Sequence, residues 1–177
     1  HANYKHGLMY RLPVNPSPNL NTPASILLYP TTCLFVGVSL NHGRGTDFPF
    51  TVVGAPMFKG IYQFSYTPVS MPGRAENPLY QDQVCYGLDL RGTDFEALVK
   101  SKKINLAWMI ELYAKNPNKP AFFERFHPQI GNIDYLAGVS EFKDQIRAGM
   151  TEEQIRKTWQ PGIGKYKKMR KKYLLYN

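Results

Sequence analysis

The sequence predicts an α+β fold in which a small mixed or antiparallel sheet is followed by C-terminal helices. Two observations predict it: strand-like apolar runs fill the first half of the chain, and helical patterns with capping residues fill the second half. Strands and helices that follow one another in blocks, without βαβ alternation, are typical of this class. With 177 residues and 43% hydrophobic content, the chain is long enough to bury a core as one domain spanning residues 1–177.

The first half opens with an extended segment and continues with four predicted strands. Residues 11–24 contain four prolines, which fix φ and donate no backbone hydrogen bond, so this segment is not expected in a central strand. The run "ASILLYP" fits either a helix or an extended segment. Four runs rich in β-branched and aromatic residues predict strands, with Gly60 as a turn residue: "TCLFVGVSL", "FTVVGAP", "IYQFSYTPVS" and "QVCYGLDLR". Alternation in the last run predicts one buried face formed by Val84, Tyr86, Leu88 and Leu90.

Helix signals dominate the second half. The predicted boundary residues of its first three helices are Thr93 or Asp94 (start), Asn116 (end), Ser140 (start) and Gly149 (end). A capping box of Thr151 and Gln154 starts the next helix. The last helix is predicted to run from about Pro161, with basic residues on one face and an apolar stripe on the other, made of Ile163, Tyr166, Met169 and Tyr173.

The charge balance points to an acidic partner without choosing among several kinds. The net charge of +9 favours a nucleic acid, an anionic membrane surface or an anionic glycan. No nucleic-acid-binding motif is present, so no nucleic-acid partner is expected, and the basic ending "KYKKMRKKYLLYN" is interpreted as a solvated helix face. No apolar run approaches the roughly 18 residues that a membrane span requires, so none is expected.

Cysteine and histidine usage predicts neither a disulfide framework nor a metal site. Cys33 and Cys85 both lie in apolar runs, which favours buried free thiols, with a bridge between them as the alternative. The four histidines are not spaced as metal ligands, and there is no phosphate-binding loop or dinucleotide-binding fingerprint. We therefore expect no metal and no cofactor.

The stretch "NHGRGTDF" places an arginine between two glycines. Gly43 and Gly45 permit positive φ and close approach of the backbone, while the Arg44 guanidinium presents a planar set of donors that matches a carboxylate. One interpretation is that Arg44 is held out to meet a ligand, with Asp47 either holding it or binding a hydroxyl. The other is a tight turn between two strands with Arg44 in solvent.

Several uncommon strings occur together in this chain: "LPVNPSPNLNT", "LYPTTCLF", "GRGTDFPF", "NPLYQDQVCYGLDLR", "IDYLAG" and "GMTEEQIRKTWQPGIGKYKKMRKKYLLY". In content and order they resemble the bacterial exo-β-N-acetylmuramidase family, long catalogued as a domain of unknown function. The resemblance implies release of terminal N-acetylmuramic acid from peptidoglycan fragments. It also implies a Rossmann-like N-terminal half, absent from this chain, and a smaller C-terminal half, which this chain resembles.

The resemblance places the active site in the cleft between the two halves. The expected partners are therefore peptidoglycan-derived muramyl sugars and the Rossmann-like half of the same protein. Arg44 is expected to bind the lactyl carboxylate of muramic acid or another polar substituent of the sugar. The other expected substrate-binding residues are Ser17, Asn19, Asn41, His42 and Thr46. Asp47 is the candidate catalytic carboxylate and Asp89 is interpreted as structural, so the main acid is expected on the other half and the isolated chain is expected to be inactive.

Two positions depart from the family pattern. Val36 stands where the family usually carries a glutamate, and His42 stands where it usually carries glutamate or valine. Loss of a carboxylate at position 36 keeps a second function open: a catalytically inactive glycan-binding or scaffold protein derived from the family. The resemblance also implies a periplasmic or secreted location, although no signal peptide is visible in the sequence.

Overall fold

The computed structural model describes residues 12–128 and 130–174. Within these ranges the chain forms one small sheet and seven α-helices, in the order α1 Pro23–Thr32, β1 Val52–Ala55, β2 Ser65–Tyr66, β3 Cys85–Asp89, α2 Phe95–Ser101, α3 Ala107–Lys115, α4 Lys119–Phe122, α5 Ile133–Ala137, α6 Glu141–Arg147 and α7 Glu152–Arg170. Short 3₁₀ helices lie at Cys33–Gly37, Pro56–Phe58 and Lys171–Tyr173. The predicted α+β class is confirmed, with an antiparallel sheet.

The two longer strands of the sheet approach each other closely at a pair of glycines. β3 is central, and both β1 and β2 pair with it in antiparallel fashion. Gly54 of β1 lies opposite Gly87 of β3. A Cβ on Gly87 would lie 2.0 Å from the Val53 carbonyl oxygen, and one on Gly54 would lie 2.3 Å from the Tyr86 carbonyl oxygen. Only glycine therefore fits at these two positions.

The predicted buried face of β3 is wrong in part, since Leu90 alone of its four residues is buried. Cys85 is fully buried, whereas Tyr86 and Leu88 are half-buried and Val84 is 46% exposed. The reason is that both faces of the sheet are partly covered. Cys85 packs with Val52 in a small cluster, while Tyr86 and Leu88 contact the main core. When both faces are covered, alternation in the sequence does not mark a single buried face.

The strand predicted for "TCLFVGVSL" is also wrong. Thr22 forms a capping box with Ser25, and Pro23 occupies the first helical turn, so helix α1 starts there and runs into the 3₁₀ helix Cys33–Gly37. The 3₁₀ turn packs tightly on α5, since a Cβ on Gly37 would lie 2.6 Å from the Ile133 backbone nitrogen. A short apolar run does not by itself distinguish a buried strand from a buried helical turn.

The main core lies between the sheet and the helices. It combines apolar side chains from almost every element, among them Leu28, Phe35, Val53, Phe58, Met109, Leu112, Phe122, Phe142 and Ile155. The predicted strand "FTVVGAP" contributes Val53 and Ala55 to it, and the predicted turn residue Gly60 has a φ of +80°. Strand β1 is thus anchored to the main core.

Most helix boundaries of the second half match their predictions. Asp94 caps α2 by accepting a hydrogen bond from the Ala97 amide, Asn116 ends α3, and Ser140 immediately precedes α6. The capping box of Thr151 and Gln154 is present at the start of α7. The side-chain caps at Asp94 and Thr151 are thus confirmed, whereas Ser140 marks its boundary without a capping hydrogen bond.

The last helix does not begin at Pro161. Instead, α7 is a 19-residue helix that continues through this proline. Proline removes the hydrogen bond to the Lys157 carbonyl, but the helix is exposed here, so water can solvate that carbonyl. The stripe predicted for the outer part of α7 lies at the surface, with Ile163, Tyr166, Met169 and Tyr173 between 37% and 68% exposed.

Both cysteines are free thiols, as the sequence favoured. Cys85 is buried, and Cys33 is half-buried at the end of α1. None of the described helices is long and apolar enough to cross a membrane.

Candidate functional site

The loop that carries Arg44 is fixed to the sheet at its first residue. Asn41 and Gly54 exchange two backbone hydrogen bonds, with N to O distances of 2.8 and 2.9 Å. The Tyr66 hydroxyl donates to the Asn41 carbonyl at 2.8 Å. The Asn41 side chain accepts from the Gly43 amide at 2.7 Å and donates to the Leu79 carbonyl at 2.8 Å and the Arg44 carbonyl at 3.1 Å, which ties the loop to the segment before β3. Asn41 therefore holds the loop rather than presenting a free amide.

The loop is closed by its own backbone and by the two glycines. Gly43 and Gly45 have φ values of +84° and +87°, in the region that glycine alone adopts readily. The Thr46 hydroxyl donates to the Gly43 carbonyl at 2.7 Å, and the Phe50 amide donates to the His42 carbonyl at 2.8 Å. The predicted positive φ at both glycines is confirmed, and the Thr46 hydroxyl is occupied inside the loop.

Arg44 lines a small pocket that three distant chain segments form together. The pocket has a volume of about 110 Å³ and is lined by Asn41, His42, Arg44, Ala75, Glu76, Asn77, Pro78, Leu79, Arg125 and His127. The first segment is the Arg44 loop, the second precedes β3, and the third connects α4 to α5. The pocket thus combines two arginines, two histidines and one exposed carboxylate, that of Glu76.

A larger groove of about 700 Å³ lies elsewhere, against α5, α6 and α7. Its walls are mainly apolar, with Leu34, Phe142 and Trp159 among them, and two of its polar side chains, Gln145 and Thr158, bond to each other at 3.0 Å. We place the candidate site in the smaller pocket because charged groups converge there, which specific recognition of a polar ligand requires.

The pocket keeps His42 neutral. This side chain is only 4% exposed, and burial, reinforced by Arg44 and Arg125, lowers its pKa to about 3. The Leu40 backbone raises that pKa by a smaller amount. It does not form a hydrogen bond of normal geometry with either ring nitrogen of His42. Burial, followed by Arg125 and Arg44, also lowers the pKa of His127. The fixed positive charge of the pocket near neutral pH therefore comes from its two arginines.

Several buried polar atoms in this pocket lack a hydrogen-bond partner among the described residues. They are both ring nitrogens of His42 and Nη1 of Arg125. Buried donors and acceptors are almost always satisfied in native proteins, so a cluster of unsatisfied ones needs an explanation. A polar ligand that enters the pocket would supply it.

The proline-rich segment meets the Arg44 loop at one carbonyl group. The Arg74 carbonyl accepts from Nη2 of Arg44 at 3.2 Å and from Nδ2 of Asn19 at 2.8 Å. Ser17 Oγ accepts from the Asn19 amide at 3.3 Å. Asn19 and Ser17 therefore lie beside the loop and brace it, but neither lines the pocket.

The carboxylates considered from the sequence lie outside the pocket. Asp47 has a side chain that is 86% exposed, and its nearest cation is Arg74, at 3.6 Å, rather than Arg44. Asp89 forms a two-pronged ion pair with Arg91 at 2.7 and 2.8 Å, and these hydrogen bonds lower its pKa. Val36 is buried at 5% exposure and does not line the pocket either.

Sequence reasoning missed Arg125, which is a main charge of the pocket. It lies in the run "AFFERFHP", whose composition signals neither a motif nor a turn, and it is 81 positions from Arg44. Only the packing of the α4–α5 connection beside the Arg44 loop brings the two guanidinium groups into one pocket. Among residues 12–128 and 130–174, no group of three or more His, Cys, Asp or Glu side chains is arranged to hold a metal ion.

Comparisons with known proteins agree on one family. A curated relative, the peptidoglycan β-N-acetylmuramidase NamZ of Bacillus subtilis (strain 168), is 34% identical over 179 aligned positions, which cover 94% of this chain and 41% of the relative. A crystal structure of a DUF1343 family protein from Bacteroides fragilis NCTC 9343 superposes with a TM-score of 0.87 at 38% identity, covering 99% of this chain and 47% of that one. The chain thus spans less than half the length of these relatives.

The model of one protein family, described as exo-β-N-acetylmuramidase NamZ, C-terminal, matches residues 27–176. That range includes the Arg44 loop, the sheet and all helices except the first residues of α1. The chain therefore belongs to the NamZ exo-β-N-acetylmuramidase family and corresponds to its C-terminal domain.

Proposed function

We propose that this chain is the substrate-recognition part of a peptidoglycan exo-β-N-acetylmuramidase and that the Arg44 pocket binds the muramyl sugar. Membership of the NamZ family supports the glycosidase assignment. The observation that carries the recognition role is the position of Arg44 in a small, cation-rich pocket. Because the substrate is part of the cell wall, we also propose a periplasmic or secreted location.

The chemistry of the sugar fits this pocket. N-acetylmuramic acid differs from N-acetylglucosamine by a lactyl ether that ends in a carboxylate. A guanidinium binds a carboxylate through two charge-assisted hydrogen bonds, and Arg44 commits only one donor, Nη2, to the Arg74 carbonyl. A volume of about 110 Å³ corresponds to roughly four water molecules, so the pocket has room for a substituent but not for a whole disaccharide.

Hydrolysis of the glycosidic bond requires more than this pocket supplies. Glycosidases normally use two carboxyl groups separated by about 5–9.5 Å. Of the residues described as lining the pocket, Glu76 alone is acidic, and it is exposed. We therefore propose that the main catalytic acid belongs to the N-terminal half of the full-length protein, so the isolated chain binds substrate without cleaving it.

The test compares two substrates in the full-length protein. Arg44→Ala should lower kcat/KM for a chromogenic N-acetylmuramide by about 10- to 100-fold, since a hydrogen bond to a charged group contributes about 1.5–3 kcal/mol. The corresponding N-acetylglucosaminide, which lacks the carboxylate, should lose less than about threefold. Arg147→Ala is the matched control, because this arginine is on the surface of α6, paired with Asp144 and Glu124. Equal losses on both substrates would reject the role of Arg44.

A second candidate function has one observation in its favour. Val36 occupies the position at which the family usually carries a glutamate, and it is buried in the 3₁₀ turn after α1. A glycan-binding protein without hydrolytic activity would then bind N-acetylmuramic acid and release no chromophore from the full-length protein. Measurable turnover of the chromogenic N-acetylmuramide eliminates this candidate.

A further inference from the structure

Arg125 is a half-buried cation without a protein counter-ion. It forms no ion pair with any residue of the described ranges, and its Nη1 atom is buried without a hydrogen-bond partner there. Removing a guanidinium from water is costly unless an acid or a full set of acceptors compensates it. The described residues provide neither, so a molecule that enters the pocket would satisfy this group.

A second cation in the same pocket makes this arrangement still less favourable when the pocket holds only solvent. Arg44 and Arg125 both line it, and after burial itself, repulsion from Arg44 is a further cause that lowers the pKa of Arg125. Glu76 is exposed, so its charge is well solvated by water. Two like charges around a volume of about 110 Å³ are best neutralised by one small anion between them.

His42 adds hydrogen-bonding capacity but no charge. Its side chain is 96% buried, given an exposure of 4%, and neither ring nitrogen has a partner among the described residues. A neutral imidazole has one donor and one acceptor nitrogen, so it can serve both a carboxylate oxygen and a neighbouring hydroxyl or ether group. This combination suits an organic acid better than an inorganic ion.

We infer that Arg125 is a specificity-determining residue, which together with Arg44 holds a single ligand carboxylate, while His42 contributes a hydrogen bond. The inference rests on the proposed function, in which that carboxylate is the lactyl group of muramic acid. Arg125 lies on a different chain segment from Arg44, and recognition of the carboxylate requires both cations. The α4–α5 connection thereby becomes part of the recognition surface.

The experiment measures binding by calorimetry to full-length protein, with three probes that differ at one group: N-acetylmuramic acid, its methyl ester and N-acetylglucosamine. Arg125→Ala should weaken N-acetylmuramic acid by about 10- to 100-fold and change the two uncharged probes by less than about threefold. Arg125→Lys keeps the charge but loses the planar set of donors, so its loss should be intermediate. Arg147→Ala again serves as the surface control.

A double-mutant cycle decides whether both arginines act on one group. If they hold the same carboxylate, Arg44→Ala should weaken binding much less in the Arg125→Ala background than in the wild type. Losses of the two single variants that simply multiply, or an equal loss of the acid and its methyl ester, would overturn the inference. The melting temperature of Arg125→Ala without ligand should be at least that of the wild type, because the substitution removes an uncompensated charge, so a failure to bind cannot be attributed to misfolding.

The two hypotheses fail in different ways. If the wild type binds N-acetylmuramic acid tightly and Arg125→Ala leaves that affinity unchanged, the role of Arg125 is refuted while the proposed function stands. If the wild type does not distinguish N-acetylmuramic acid from N-acetylglucosamine but binds D-lactate in a manner that depends on both arginines, the two-arginine site stands and the proposed function is refuted.

Discussion

His42 is the side chain whose protonation the fold opposes most clearly near the candidate site. Its ordinary pKa of 6.5 is lowered to about 3, first by burial and then by the charges of Arg44 and Arg125. The unfolded chain therefore binds a proton at this residue over a pH range in which the folded chain does not. Neutral His42 is thus a condition of the folded state, and acid must destabilise that state through this residue.

The expected pH dependence follows from the direction of this shift. The contribution of His42 is fully present above pH 6.5 and is lost as the pH falls towards 3, at a slope approaching about 1.4 kcal/mol per pH unit. Chemical denaturation of the wild type and of His42→Val at pH 7, 6, 5 and 4 measures it. The variant should become the more stable of the two as the pH falls. The two proteins differ in no other ionisable group, so parallel profiles would contradict the neutral, buried state of His42.

At the scale of single residues, the sequence indicated one arginine of the pocket and not the other. Arg44 stood out because it lies between two glycines, and glycines on both sides of a residue indicate a turn with positive φ, which can be inferred from the sequence alone. Arg125 has no such local signal, since its importance arises from the packing of a connection 81 positions away. Asn41 and Thr46 stay predicted substrate-binding residues: Asn41 lines the pocket while bonding the loop and Leu79, and the Thr46 hydroxyl bonds within the loop.

At the scale of elements, the glycine pair between β1 and β3 gives a sharp test. Gly87→Ala would place a methyl group 2.0 Å from the Val53 carbonyl oxygen, so the strands must separate. We expect a loss of about 3 kcal/mol in the free energy of unfolding, measured by chemical denaturation, because the clash is with backbone and not with a movable side chain.

Gly92 is the matched control for this substitution. It follows β3 closely, yet a Cβ there would meet nothing within 4 Å. Gly92→Ala should therefore change the free energy of unfolding by no more than about 0.5 kcal/mol. Similar losses in both variants would show that the close approach of β1 and β3 is not what restricts position 87.

The elements that the sequence predicted well are those with chemical boundary signals. Asp94 and the capping box at Thr151 act on backbone groups one turn away, so their effect can be inferred locally. The helical state of "TCLFVGVSL" and the continuation of α7 through Pro161 depend on contacts or solvation that the sequence does not display. The same holds for β3. Both of its faces are partly covered, so the alternating pattern in its sequence does not mark one buried face.

At the scale of the whole molecule, the two thiols report on cooperative unfolding. Cys85 is fully buried in the sheet, and burial raises its pKa to about 12, whereas Cys33 is half-buried at the end of α1. In a Cys33→Ser variant, the remaining thiol should react with a thiol reagent at pH 8 at least about 10³-fold more slowly under native conditions than in denaturant.

The wild type provides the companion measurement. In denaturant without reductant it should titrate as two free thiols, because the structure contains no bridge between them. Under native conditions Cys33 should react first and Cys85 only after the sheet opens. A titration that finds no free thiol would show a disulfide and would contradict the arrangement of both residues.

The walls of the Arg44 pocket come from residues 41–44, 75–79 and 125–127, three pieces of chain that are far apart in the sequence. Hydrogen bonds from Asn41 to the Leu79 carbonyl and from Arg44 to the Arg74 carbonyl join the first two pieces in the folded chain. A short peptide taken from this chain is therefore not expected to bind the ligand of this pocket. No excised loop, however carefully cyclised, would reproduce the juxtaposition of Arg44 with Arg125, and grafting the glycine–arginine–glycine motif onto a foreign scaffold would transfer its shape but not its second cation. The smallest transplantable unit is the folded chain that unites all three pieces.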